Sequence, residues 1–210
     1  MIANRYFGGR MSELKNYVFT YGTLKRGQPN HSHIMTGENG CAEFVSLGKT
    51  TDLMGLIIEP RLNLPYLLEP GIARSSEDKQ VIGEIYRVDN DMLAYLDYFE
   101  DHPDWYTRQF LSITPFNKSI EGEPMQCSAY VITNWNRDFL DTKKYPRLSS
   151  YGNNPRRPYV EHQQSFDGYV EVMMKECTLK YLSAYKCNFF AIPGIMNWCY
   201  FILYFLICAR

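Results

Sequence analysis

The chain has 210 residues, with 22 Lys and Arg against 23 Asp and Glu and a net charge of −1. That length suits one domain of ordinary size with tails and excludes two large domains, and the near-neutral balance argues against a nucleic-acid surface. The 17 tyrosines and 12 phenylalanines favour a β-rich core, and the 6 cysteines (Cys41, Cys127, Cys177, Cys187, Cys199 and Cys208) lack metal-ligand spacing and a dense disulfide pattern, which points to free thiols in a reducing compartment such as the cytosol.

Residues 1–15 read as a loosely ordered leader, because Arg5, Arg10, Glu13 and Lys15 interrupt every apolar cluster and no signal-peptide core is present. Residues 17–21 form a β-rich apolar run that breaks at Gly22 into a polar turn, and Pro29 suits the first turn of a helix. In a strand, loop and helix start of this kind, consecutive main-chain N–H groups can converge as an anion or oxyanion nest. An ordinary strand end with a glycine turn fits the same residues. Gly22 and Gly27 have P-loop spacing, but Gln28 and Pro29 stand where that motif needs Lys and Ser or Thr, which argues against nucleotide hydrolysis.

Residues 28–37 suit a short helix with His31 and His33 on different faces. Strands are expected near 42–50, 54–58, 66–69 and 81–88, with an exposed loop at 71–79. Asp89 is a good N-cap for a helix whose one face carries Met92, Leu93, Leu96 and Phe99, ending near Glu100 where Asp101, His102 and Pro103 break it. Two further strands, 106–113 and 125–133, flank a polar loop containing Pro115 and Pro124. Many short strands, two short helices and no regular βαβ alternation make this an α+β domain, expected to span 16–162.

Beyond residue 134 the composition changes. Residues 147–162 are polar, and Tyr169, Val170, Met173, Met174, Cys177, Tyr181 and Ala184 then fall at helical spacing. Residues 189–208 contain no charge and are long enough to cross a hydrocarbon layer, although Pro193, Gly194 and Asn197 interrupt them. The divergent tail 163–210 therefore has three open readings: a membrane anchor, a segment packed on the domain, or a tail without stable structure. The sequence carries no information on oligomeric state.

Among the acids, Glu84 stands out, because strand alternation places it with Ile82 and Tyr86 on one face. Turned inward, it would have its pKa raised by burial towards the range of a general base; turned outward, it is a surface glutamate on an edge strand. Asp97 and Glu100 share a helix face and suit capping or pairing with an arginine, for which Arg108 is the candidate. No Gly-x-Ser-x-Gly is present, and Cys127 has the setting of a core residue.

The run Tyr21-Gly22-Thr23-Leu24-Lys25-Arg26-Gly27-Gln28-Pro29-Asn30-His31, followed by Gly83-Glu84-Ile85-Tyr86 and Leu96-Asp97-Tyr98-Phe99-Glu100, resembles the gamma-glutamylcyclotransferase family, closest to its gamma-glutamylamine cyclotransferase members. The resemblance spans residues 16–159. It implies a small mixed β-barrel flanked by short helices, with Tyr151 and Tyr159 in a segment lying back near the site. It implies Glu84 as the catalytic carboxylate and Tyr21, Gly22, Thr23 and Leu24 as the residues that hold the substrate. The implied reaction closes a γ-glutamylamine into 5-oxoproline and needs no metal or organic cofactor. Within the family, γ-glutamyl amino acids or glutathione are the rival substrates, and the unusual tail leaves open an inactive, membrane-associated form.

Overall fold

In the computed structural model, residues 13–60, 62–69, 75–117, 120–133, 135, 137–156 and 158–159 are described, together with the backbone of 6–7 and 10–11. The strands are β1 (Tyr6–Phe7), β2 (Arg10–Met11), β3 (Asn16–Thr20), β4 (Ala42–Thr50), β5 (Leu56–Glu59), β6 (Leu64–Leu67), β7 (Ile82–Val88), β8 (Thr107–Asn117), β9 (Ile120–Glu121) and β10 (Met125–Val131). The helices are α1 (Ser32–Met35) and α2 (Asn90–Phe99), with a 3-10 turn at Arg137–Leu140.

Strands run in the order β10-β3-β7-β4-β8, and β8 pairs back onto β10, so five strands close into a barrel. The β10–β3 pair is parallel and the other neighbours in the ring are antiparallel, which makes the barrel mixed. Closure leaves none of these five strands as a free sheet edge along its whole length. A separate antiparallel pair, β5 with β6, lies beside it and is tied to it by a bridge from Leu68 to Ile132.

The period-two alternation of the strands sorts the core into two layers. Phe19, Ile85, Leu111, Ile113, Cys127 and Ala129, drawn from β3, β7, β8 and β10, form the barrel interior. Val18, Tyr86, Val88 and Tyr130 turn the other way, against Ile34 of α1 and Met92 and Leu96 of α2. Glu84 shares the face of Tyr86, so it is buried outside the barrel interior, in the outer layer. Close strand approach requires Gly83: an added Cβ would lie 2.4 Å from the Thr20 carbonyl oxygen and 2.7 Å from the Phe19 ring.

The structure departs from expectation at several places. The helix expected at 28–37 is only Ser32–Met35, because the preceding residues fold as successive turns and Gly27 adopts φ 73°, outside helical geometry. β8 continues through Pro115, opposite Gly48, to Asn117 rather than ending at Ile113. In the loop expected to be exposed, Asp78 is instead buried, paired at 3.0 Å with the equally buried Arg147. Asp89 caps α2 as expected, accepting the Met92 N–H at 2.8 Å. The helical and apolar stretches of the tail lie outside the described residues, as do four of the six cysteines. Among the described residues no helix is long and apolar enough to cross a membrane.

Candidate active site

The turn region that follows β3 leaves the barrel at Tyr21 and packs Gly22 tightly against Pro65, where a Cβ would come within 2.7 Å of the proline ring. Tyr21, Thr23 and Leu24 are buried, and the Tyr21 hydroxyl donates to the Tyr130 carbonyl at 2.6 Å. The main-chain N–H groups of Lys25 and Asn30 are consumed within the loop, by the carbonyls of Gly22 and Thr23. Those of Gly22, Thr23 and Leu24 donate to no acceptor among the described residues. Three buried, adjacent donors without a partner among the described residues make a cradle for an anion or a developing oxyanion.

At one end of this cradle stands Glu84. Its Oε2 accepts the Arg26 main-chain N–H at 2.9 Å and the Tyr86 hydroxyl at 2.8 Å, and its Oε1 accepts Arg26 Nε at 3.0 Å. The Arg26 guanidinium is fixed in turn 3.8 Å over the Phe44 ring. Burial pushes the Glu84 carboxyl up, but the Arg26 N–H, the Arg26 side chain, the Tyr86 hydroxyl and the arginine charge together outweigh it and hold the group below its ordinary value. This overturns the expectation of a raised pKa at Glu84: burial alone would have raised it, and the ready-made partners reverse the sign.

Glu100 lies at the other end. It follows α2 directly, and its carboxylate makes neither hydrogen bond nor ion pair among the described residues. The arginine-pairing role expected of this helix face falls to Asp97 alone, which holds Arg108 at 3.1 Å and accepts the Tyr130 hydroxyl at 2.8 Å. Without such partners, burial pushes the Glu100 carboxyl up to about 8. Its charge is felt by Tyr21, Tyr106 and Tyr130, whose own pKa values are raised first by burial and further by this neighbour. A half-buried acid beside Tyr21 is therefore next to the cradle, in a setting of phenols rather than cations.

The loop also grips the chain's later residues. Lys25 Nζ donates to Ser150 Oγ at 3.1 Å and the Tyr151 carbonyl at 2.8 Å, the Gln28 side-chain carbonyl accepts the Asn153 N–H at 2.8 Å, and Asn30 Nδ2 meets the Tyr159 hydroxyl at 3.1 Å. Burial lowers the pKa of Lys25, and the Glu84 charge opposes that. The Lys-Arg-Gly-Gln-Pro-Asn run is thus a two-sided clamp, Arg26 fastening inward to Glu84 and the others outward to residues 150–159. Among the described residues no cluster of three His, Cys, Asp or Glu side chains is placed to hold a metal ion.

Residues 18–152 match the family described as gamma-glutamyl cyclotransferase, AIG2-like. The chain belongs to that family. Gamma-glutamylaminecyclotransferase of Mus musculus is 38% identical over 140 residues, covering 65% of this chain and 91% of the mouse protein. Gamma-glutamylaminecyclotransferase B of Danio rerio is 38% identical over 138 residues, covering 65% of this chain and 70% of the fish protein. The crystal structure of an AIG2-like protein from Mus musculus aligns with a TM-score of 0.61 at 34% identity, over 71% of this chain and 97% of that one. The small mixed barrel implied by the sequence resemblance is thus the gamma-glutamyl cyclotransferase fold.

The residues named from sequence divide accordingly. Tyr21, Gly22, Thr23 and Leu24 come together as the cradle, and Glu84 is buried but locked. Glu100, expected to cap or to pair with an arginine, carries a raised pKa instead, and its place gives one signal of this: an acid at a helix C-terminus faces the negative end of the helix dipole, which disfavours its charge.

Proposed function

We propose that this protein is a gamma-glutamylamine cyclotransferase, acting from within residues 16–162, that converts ε-(γ-glutamyl)lysine to 5-oxoproline and free lysine in the breakdown of transglutaminase crosslinks. The observation that carries the proposal is the Glu100 carboxyl, pushed up to about 8 beside a cradle of amides that have no acceptor among the described residues. The α-ammonium of a γ-glutamyl group sits beside its own free α-carboxylate, which keeps its pKa above the ~8 of a chain N-terminus. A carboxyl raised towards that range takes the proton at far smaller cost than an ordinary carboxylate and can return it, as a general acid–base catalyst requires.

Glu100 takes a proton from the α-ammonium, and the freed amine attacks the side-chain carbonyl to close a five-membered ring. The amides of Gly22, Thr23 and Leu24 receive the glutamyl carboxylate and the developing oxyanion. Glu100 returns its proton to the departing nitrogen as the old C–N bond breaks, and takes the surplus proton of the ring nitrogen. Because nucleophile and carbonyl are tethered, correct orientation is worth effective molarities on the order of 10⁵ to 10⁸ M. Glu84 anchors Arg26 and with it the end of the cradle. A second reading puts the base at Glu84, favoured by its contact with the loop through the Arg26 N–H; its lowered pKa makes it the weaker proton acceptor.

The test is to incubate the protein with ε-(γ-glutamyl)lysine, γ-glutamylalanine and glutathione and to measure 5-oxoproline. Formation from the isopeptide supports the proposal, and preference for either of the others moves the activity to γ-glutamyl amino acids or glutathione. No product from the isopeptide rejects it.

A further inference from the structure

A hollow of about 390 Å³ lies among Ile58, Asn63, Lys144, Tyr145, Tyr151 and Asn153. Its walls are built from the segments that hold the cradle. Tyr151 and Asn153 are the residues gripped by Lys25 and Gln28, and Asn63 stands two positions before Pro65, against which Gly22 packs and whose carbonyl accepts the Tyr106 hydroxyl at 3.2 Å. An aromatic series joins the two regions, with centroid separations of 5.8 Å from Tyr106 to Tyr66, 5.9 Å from Tyr66 to Phe139 and 5.0 Å from Phe139 to Tyr145.

The chemistry of the lining is lopsided. Apart from aromatic and aliphatic surface it offers side-chain amides and a single charge, the Lys144 ammonium, and no carboxylate among the described lining residues. Lys144 lies 5.2 Å over the Tyr145 ring and 3.8 Å from Asp138, with both charged side chains more than half exposed, so that ion pair competes only weakly for the ammonium. Tyr151 adds a buried hydroxyl with no hydrogen-bond partner among the described residues.

We propose that this hollow receives the departing amine half of the substrate and that Lys144 selects amines bearing a carboxylate at their far end. The inference rests on the cyclotransferase reading and adds to it a specificity residue outside the cradle. An apolar stem lies along Tyr145 and Ile58, the carboxylate meets Lys144, and an amine whose far end carries an ammonium without a carboxylate is repelled.

Three γ-glutamyl conjugates of matched length test this: aminohexanoate with a terminal carboxylate, hexylamine with a neutral end, and diaminohexane with a terminal ammonium. In the parent protein kcat/KM should fall in that order. Lys144→Met should cost the carboxylate conjugate about three- to fivefold, through KM, and leave the neutral conjugate unchanged, as expected of one partly exposed ion pair. Lys144→Glu should reverse the order of the two charged conjugates, and added salt should shrink all these differences. Turnover of the neutral conjugate with no dependence of the charged ones on residue 144 overturns the proposal and leaves the cyclotransferase reading standing. Failure of the parent to form 5-oxoproline from any of the three overturns both.

Discussion

Glu84 and Arg26 are locked at two points, the carboxylate accepting the arginine main-chain N–H at 2.9 Å and its Nε at 3.0 Å. The first bond fixes the course of the loop and the second fixes a side chain. Replacing Glu84 with Gln should keep the fold and lower stability at neutral pH by about 1–2 kcal/mol, since bonds to a charged acceptor are weakened and Arg26 is half in solvent. The sign of the pH dependence follows from the lowered pKa. The contribution is fully present above the unfolded-state value of ~4.3 and is lost as pH falls through the folded value. Urea midpoints of parent and variant should differ at pH 7 and converge in acid; equal midpoints at pH 7 would rule out the lock.

Glu100 should behave in the opposite sense. Its folded-state pKa of about 8 lies above the unfolded value, so below ~4.3 the acid is protonated in both states and costs nothing. As pH rises from there through about 8, the folded protein loses stability because the unfolded chain gives up this proton more readily. Glu100→Gln should therefore melt like the parent near pH 4 and above the parent at pH 9. Its kcat/KM should fall by about 10²- to 10⁴-fold, the usual worth of a general base, while parent activity climbs with pH towards 8. A melting difference that is the same at every pH would show that this carboxyl is not held neutral by burial.

Gly83→Ala tests the contact between β3 and β7. The new methyl group would meet a main-chain oxygen at 2.4 Å, which cannot swing aside as a side chain can, so a loss at or beyond the ~1–3 kcal/mol of ordinary overpacking is expected. Gly152→Ala is the control, with nothing within 4 Å of its added carbon. Thermal unfolding of the two variants side by side decides the matter, and equal losses would contradict it.

Lys25→Met should loosen residues 150–159 without opening the barrel. Two hydrogen bonds from the ammonium are lost, about 1–3 kcal/mol in total, confined to that segment. Hydrogen exchange at the Asn153 amide, bonded to Gln28 at 2.8 Å, reports it directly. Faster exchange there with unchanged exchange at Ile85 is the expected pattern, and uniform acceleration would mean global destabilisation instead.

Much of the barrel was legible because strands declare themselves locally. The apolar runs of β3, β4, β7 and β10 and the Asp89 cap with its apolar helix face all lie where the period and the capping chemistry put them. What failed was non-local. Nothing near Asp78 announces Arg147, 69 residues away, so a buried ion pair looked like an exposed loop. The pKa of Glu84 is hidden for the same reason: alternation tells that the residue is covered, but the sign of the shift depends on Arg26, 58 residues earlier in the chain. At Glu100 the helix end disfavours the charge, which sequence can tell, but that no described residue pairs with the carboxylate leaves no mark in the sequence.

The parallel register of Val18 with Ser128 makes the first long strand wait for the last. Glycine-broken donors at positions 22–24 emerge early from the ribosome, yet their surroundings depend on Tyr130 and on residues 150–159. A nascent polypeptide stopped short of these carries the most recognisable stretch of the sequence and none of its chemistry. Such distant closure is slow to find, because the entropy of a long loop is lost before any contact rewards it. Catalytic competence in this fold is accordingly a late event, arriving only with the completed ring.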